Sequence, residues 1–135
     1  MKATKKTEEQ QKAHSISFQN GIISWRLEEG CWYTPDQVSE EMAKHEILAG
    51  TKSFALLVDA SNNAVMDLEC TERIICQGSV HRKAVAILTG ENLASRLMLN
   101  FYVQKCESKG AVRMFKSEAI ALSWLQEQLH KDSLG

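Results

Sequence analysis

The chain has 135 residues, and its 16 basic and 17 acidic side chains leave a net charge of −1. That balance excludes the basic excess by which a nucleic-acid binder is recognised, and no apolar run approaches the ~20 residues of a membrane-spanning helix. One domain of this length buries enough surface to fold without a metal or a disulfide.

Residues 1–13 are almost all polar or charged (Lys2, Lys5, Lys6, Glu8, Glu9, Lys12) and have no apolar stripe, so they read as a tail. A single domain is expected over residues 14–130, followed by a short C-terminal tail at 131–135. The domain opens with two apolar segments, residues 14–18 and 22–27, on either side of Asn20-Gly21. That pair readily takes the positive φ angles of a type I′ turn. A two-residue loop there would pair Gln19 with Ile22, Phe18 with Ile23 and Ile16 with Trp25, with Ser17 and Ser24 on the opposite face. One apolar and one wetter face place this antiparallel hairpin at the border of a sheet.

Thr34, Pro35 and Gln37 spell a helix start, as cap, first helical position and capping-box partner. Val38, Met42 and Ala49 supply a stripe, and Gly50 a stop. Residues 54–58 (FALLV) form a continuous apolar run, as in a strand covered on both faces, which Asp59 ends. A loop to Met66 follows, then a helix capped by Asp67, carrying Leu68, Ile74 and Ile75 and closing near Gly78. Residues 84–89 read as the next strand. Gly90 then turns the chain into a helix with Leu93, Leu97 and Phe101 four residues apart, ending at Gly110. Residues 111–115 make the last strand, and Ser117 caps a last helix expected to bury Ile120, Trp124 and Leu125. This alternation predicts an α/β fold: a single-layer, mainly parallel sheet with an N-terminal antiparallel hairpin and about four helices.

Cys31, Cys70, Cys76 and Cys106 show neither a CxxC pair nor a zinc-ligand spacing, and no signal peptide is apparent. Free thiols, no metal and a cytoplasmic setting are expected. No phosphate loop, dinucleotide fingerprint, serine-hydrolase elbow or HExxH occurs, so no cofactor is expected and no residue is assigned a catalytic role. His14, His45, His81 and His130 lack partner patterns and read as surface histidines. In a parallel sheet, a ligand crevice is expected outside the carboxyl ends of the strands. Asp59, Asn62 and residues 89–92 and 116–117 fall at that end, with Arg96 one turn into the following helix as a possible carboxylate or phosphate grip.

From Asn20 onward the sequence resembles the SpoIIAA-like, or STAS-like, group of small bacterial domains, which is related in fold to anti-sigma-factor antagonists and grouped loosely with lipid-binding SEC14-type modules. The resemblance is carried by residues 56–59 (LLVD), 82–88 (RKAVAIL), Ser95-Arg96 with Asn100-Phe101, and 115–125 (FKSEAIALSWL). Better-known members of that group bear a phosphorylatable serine in an Asp-Ser-Ser-Gly segment, which by position falls on residues 67–70 here. Asp67 matches, whereas Leu68 and Glu69 replace the serines, leaving Thr71 as a substitute acceptor.

What the resemblance implies is a non-enzymatic regulatory or adaptor domain that signals by protein–protein interaction through the surface around Asp67, Glu69 and Thr71. The alternative is a carrier of a lipid or other apolar ligand, drawn from the large apolar residues Met98, Phe101, Tyr102, Trp124 and Leu125. A small enzyme acting through Asp59, Asn62 and Arg96 ranks third. The border strand or Trp32-Tyr33 could pair two copies across a two-fold axis, which the sequence does not decide.

Overall fold

A computed structural model describes residues 16–27, 32–50, 52–61, 65–66, 68–76, 81–90 and 111–134. Its elements are β1 (Ile16–Gln19), β2 (Ile22–Arg26), β3 (Trp32–Tyr33), α1 (Pro35–Ala49), β4 (Phe54–Ala60), β5 (Val65–Met66), α2 (Leu68–Cys76), β6 (Arg82–Thr89), β7 (Ala111–Phe115) and α3 (Glu118–Leu134). The main sheet has five strands in the order β1-β2-β4-β6-β7. β1 runs antiparallel to β2, and every later neighbour is parallel. β3 and β5 form a small parallel pair of their own, with β5 at the end of the segment expected as a loop to Met66.

The hairpin register is the one the Asn20-Gly21 turn requires, with φ of 55° and 80° at the two turn residues. β1 is the border strand and β2 lies inside it, buried on both faces at Ile22 and Ile23. The capping box of α1 is present: Gln37 N–H donates to Thr34 Oγ1 at 3.2 Å, and Thr34 N–H to Gln37 Oε1 at 2.9 Å.

Successive moves from β2 to β4 to β6 all run in one direction across the sheet, so right-handed crossovers put α1 and α2 on the same face. Beneath them Ile23, Trp25, Leu56, Val58, Val85 and Ile87 form the larger core with Val38, Ile74 and Ile75. The opposite face is lined by Ile22, Ala55, Leu57, Ala84, Ala86 and Leu88, and packs against Ala121 and Leu125 of α3. Three alanines in that set let the helix come close to the strands.

Several expectations are corrected. Three helices are described where about four were expected, and the segment between Gly90 and Gly110 lies outside the described residues. α3 continues to Leu134, through the segment expected as a C-terminal tail. Ile120, expected in the core, is 61% exposed, because α3 turns Ala121 and Leu125 to the sheet instead. His45 is a core residue at 2% exposure and stands edge-on to Trp25, with ring centroids 5.2 Å apart. Cys70 is a buried thiol whose Sγ–H donates to the Tyr33 carbonyl at 3.1 Å, but Cys76 is disulfide-bonded, so the expectation of thiols throughout is corrected. Among the described residues no helix is long and apolar enough to cross a membrane.

Candidate functional site

The described strands offer no topological switch point. A crevice opens outside the carboxyl ends where strand order reverses, and from β2 to β7 the order never does. Between β4 and β6 the connecting backbones close on each other: a Cβ at Gly90 would lie 2.8 Å from the Ser61 carbonyl oxygen. The concave feature is elsewhere, on the alanine-lined face.

There α3 lies over β4, β6 and β7 and leaves the hairpin side open, forming a cleft of about 750 Å³. Its floor is the wet face of the hairpin, Ser17, Gln19, Ile22 and Ser24, continued by Leu57. Glu118, Leu122, Ser123 and Gln126 of α3 form its wall. One end is closed where Gln126 Nε2 donates to the Asn20 carbonyl at 3.1 Å and Leu129 packs on Gly21, a glycine whose Cβ would come within 3.1 Å of that leucine.

At the other end, Arg26 Nε meets Asp59 Oδ2 at 3.3 Å, tying the ends of β2 and β4 together. The Asp59 carboxylate also accepts from the backbone N–H and hydroxyl of Ser61, which fixes it as the pivot of a local turn. Arg26, its side chain 68% exposed, offers the rest of its guanidinium outward. Such a surface pair contributes little to stability but orients the charge. The lining is therefore hydroxyls, amides, one salt bridge and the Glu118 carboxylate, with apolar side chains between them. It can hold a ligand by hydrogen bonds and grip a carboxylate.

Of the residues singled out in the sequence, Asp59 belongs to this cleft. Glu69 and Thr71 lie on α2, on the opposite face of the sheet. Glu69 accepts from Arg73 Nη2 at 2.9 Å, while Arg73 Nη1 reaches the Pro35 carbonyl and Ser39 Oγ and clamps α2 to the start of α1. Thr71 is 8% exposed, turned into the fold. Asn62, Asp67 and Arg96 lie outside the described residues. Sequence reasoning missed Ser24, Arg26, Glu118, Ser123 and Gln126. The signal available was the polar side of the hairpin, Ser17 with Ser24, which marks a face left uncovered.

A second polar cluster lies under α1. Burial lowers the pKa of His45 from 6.5 to about 4, with Arg82 and then Lys44 adding to the effect. Its Nε2 and the Oε2 of Glu41, one turn earlier, are buried without hydrogen-bond partners. Burial likewise lowers Arg82 to about 10, opposed by Glu46, so it stays charged at neutral pH and donates to the Ile75 carbonyl at 3.3 Å. Among the described residues no three histidine, cysteine or acidic side chains converge as a metal site.

The chain belongs to the family described as Domain of unknown function (DUF7793), whose model matches residues 16–129. No curated protein matches it. A crystal structure of a protein with unknown function from Arthrobacter sp. FB24, at 2.20 Å resolution, is similar at 21% identity over 82% of this chain and 91% of that one, with a TM-score of 0.32.

Proposed function

We propose that this domain is a non-enzymatic adaptor or regulatory module that binds a segment of a partner protein in the cleft between the hairpin and α3. The observation that carries the reading is the half-roofed sheet: the cleft is preformed and its lining is rich in groups that hydrogen-bond a peptide backbone. Arg26 would take an acidic side chain of that segment. Binding is favoured over catalysis because Asp59, the acid best placed in the cleft, is engaged by Arg26 and Ser61. Kinship with STAS-like signalling modules and a cytoplasmic setting belong to the same proposal, whereas docking of a partner around Asp67, Glu69 and Thr71 would use a different surface from the cleft. A count of titratable thiols in the denatured, unreduced chain bears on the setting: all four free would favour a reducing compartment, and fewer would agree with the bonded Cys76.

The test is a photo-cross-linking amino acid placed at Ser24, in the cleft floor, or at Glu40, on the exposed side of α1. Capture of a defined partner polypeptide from Ser24 and not from Glu40 supports the reading. Equal capture from both positions, or none from Ser24, overturns it. A lipid carrier is the alternative: Ile22, Trp25, Leu57 and Leu122 also line the cleft, but an acyl chain there would strip water from its hydroxyls, amides and charged groups without replacing their hydrogen bonds. Native mass spectrometry showing co-purified lipid would favour that alternative.

A further inference from the structure

The cleft has a floor and one wall. Its second side ends at β1, the border strand of the sheet among the described residues. Border strands are guarded against pairing by lysine, proline, a bulge or a charge pointing inward. β7, at the other border, carries Arg113, whose guanidinium lies over the Phe115 ring at 5.7 Å. β1 reads Ile-Ser-Phe-Gln: no charge, no proline and an unbroken register with β2. It also leaves Phe18 at 37% exposure, a large apolar side chain on an unguarded edge.

The hairpin fixes which backbone groups face outward. In a two-residue hairpin, the pair closing the turn, Gln19 with Ile22, exchanges hydrogen bonds, and the pattern then alternates. Gln19 and Ser17 therefore direct their N–H and C=O to β2, while Ile16 and Phe18 direct theirs to the free edge. The same alternation sets the faces: Ile16 and Phe18 are on the side of Ile23 and Trp25, and Ser17 and Gln19 are on the cleft side.

We infer that the occupant of this edge is a second copy of the chain, joined β1 to β1 antiparallel about a two-fold axis at Ser17. Registers centred on Ile16, Ser17 or Phe18 keep both alternations, and the one centred on Ser17 pairs every outward backbone group of Ile16 and Phe18 within the two strands. Ile16 of each copy lies opposite Phe18 of the other and exchanges backbone hydrogen bonds with it, four in all by this geometry. Ser17 meets its own counterpart on the axis as a pair without hydrogen bonds between their backbones. Apolar side chains meet apolar ones on one face, and hydroxyls meet on the other. No like charges are brought together in the strand, and a net charge of −1 per chain adds little repulsion.

The consequence for the site is direct. The sheet becomes continuous through ten strands, and the two clefts merge into one trough floored by β1 and β2 of both copies. Each copy supplies the other's missing side: Ser17 and Gln19 extend the neighbouring floor, and α3 of each stands as the far wall. This dimer does not depend on what the trough binds.

Sedimentation of the full chain against concentration, together with three variants, tests it. The wild type should show a monomer–dimer equilibrium. Phe18→Pro removes an N–H that faces outward and so costs the hairpin no hydrogen bond, yet deletes two of the four between copies. It should raise the dissociation constant roughly tenfold or more while the circular dichroism stays unchanged. Ser17→Lys places like charges on the axis and should do the same without touching the backbone. Ser17→Cys should form a covalent dimer without reductant, beyond any seen in the wild type, because antiparallel pairs of this kind bring Cα atoms about 4.5 Å apart. A wild-type chain that remains monomeric to roughly 1 mM, or a dimer indifferent to both Phe18→Pro and Ser17→Lys, overturns the inference. Loss of partner capture at Ser24 from a chain that still dimerises would overturn the cleft reading alone.

Discussion

The two faces of the sheet are built to different rules. Under α1 and α2 the strands present Trp25, Ile23, Leu56, Val58, Val85 and Ile87, large side chains that fill the space below two helices. Under α3 they present Ala55, Ala84 and Ala86, and one helix comes down close on them. A helix is about 10 Å wide, and five strands at about 4.8 Å spacing measure roughly 19 Å between the outer two, so among the described residues α3 by itself does not roof that face. What it leaves open on the hairpin side is polar, Ser17 and Ser24, and becomes the cleft. On the other side Phe115 and Trp124, 5.4 Å apart, make an aromatic cover beside β7. Of the described helices, two cover the face that gives stability, and one covers the face that leaves a surface.

The largest expected effect lies on the large-residue face. Leu56→Ala, at a fully buried position, should lower unfolding free energy by about 2–5 kcal/mol in urea titrations. A loss below 1 kcal/mol would show that this core is not tightly packed. On the same face, His45 makes stability depend on pH. Its folded pKa is about 4 against 6.5, so the unfolded chain binds the proton first as pH falls. Stability is full above pH 6.5 and declines between 6.5 and 4, by roughly 3 kcal/mol over that window. Urea midpoints from tryptophan fluorescence should fall accordingly. In His45→Leu that part of the slope should vanish, leaving the carboxylates to act at lower pH.

The alanine face should fail in the opposite sense, by crowding. Ala86→Leu forces α3 away from β6 and should cost about 1–3 kcal/mol, whereas Ala86→Gly should cost less. If Ala86→Leu were neutral in thermal melts, the close approach of α3 would be discredited. The smallest effect on stability belongs to the cleft. Arg26→Ala removes an exposed pair and should shift stability by about 0.5 kcal/mol or less. The same substitution should weaken partner capture at Ser24 severalfold, and equal capture would mean that Arg26 does not grip the partner.

Much of this fold was legible residue by residue. Asn20-Gly21 set the hairpin register because only a tight turn with positive φ brings two such strands together, and Thr34, Pro35 and Gln37 set the start of α1 through local hydrogen bonds. Local chemistry of this kind does not need the rest of the chain. His45 and Ile120 were misplaced because their burial depends on which side of a helix meets the sheet. The helical period tells the faces apart but does not say which one is covered when both carry apolar residues. The strands β3 and β5, two residues each, are too short to leave a pattern and form only because distant segments pair.

By itself, then, the sequence determined the order of the longer described elements, the Asn20-Gly21 turn and the caps at Thr34 and Ser117, all of them interactions between residues a few positions apart. Tertiary structure alone decided where the open surface lies. The described strands show no reversal of order at their carboxyl ends, and the mismatch between α3 and five strands opened a cleft whose residues, Ser24, Arg26, Asp59 and Gln126, come from three separate parts of the chain. Short-range chemistry is written locally; the coverage of a sheet is a property of how the pieces are stacked.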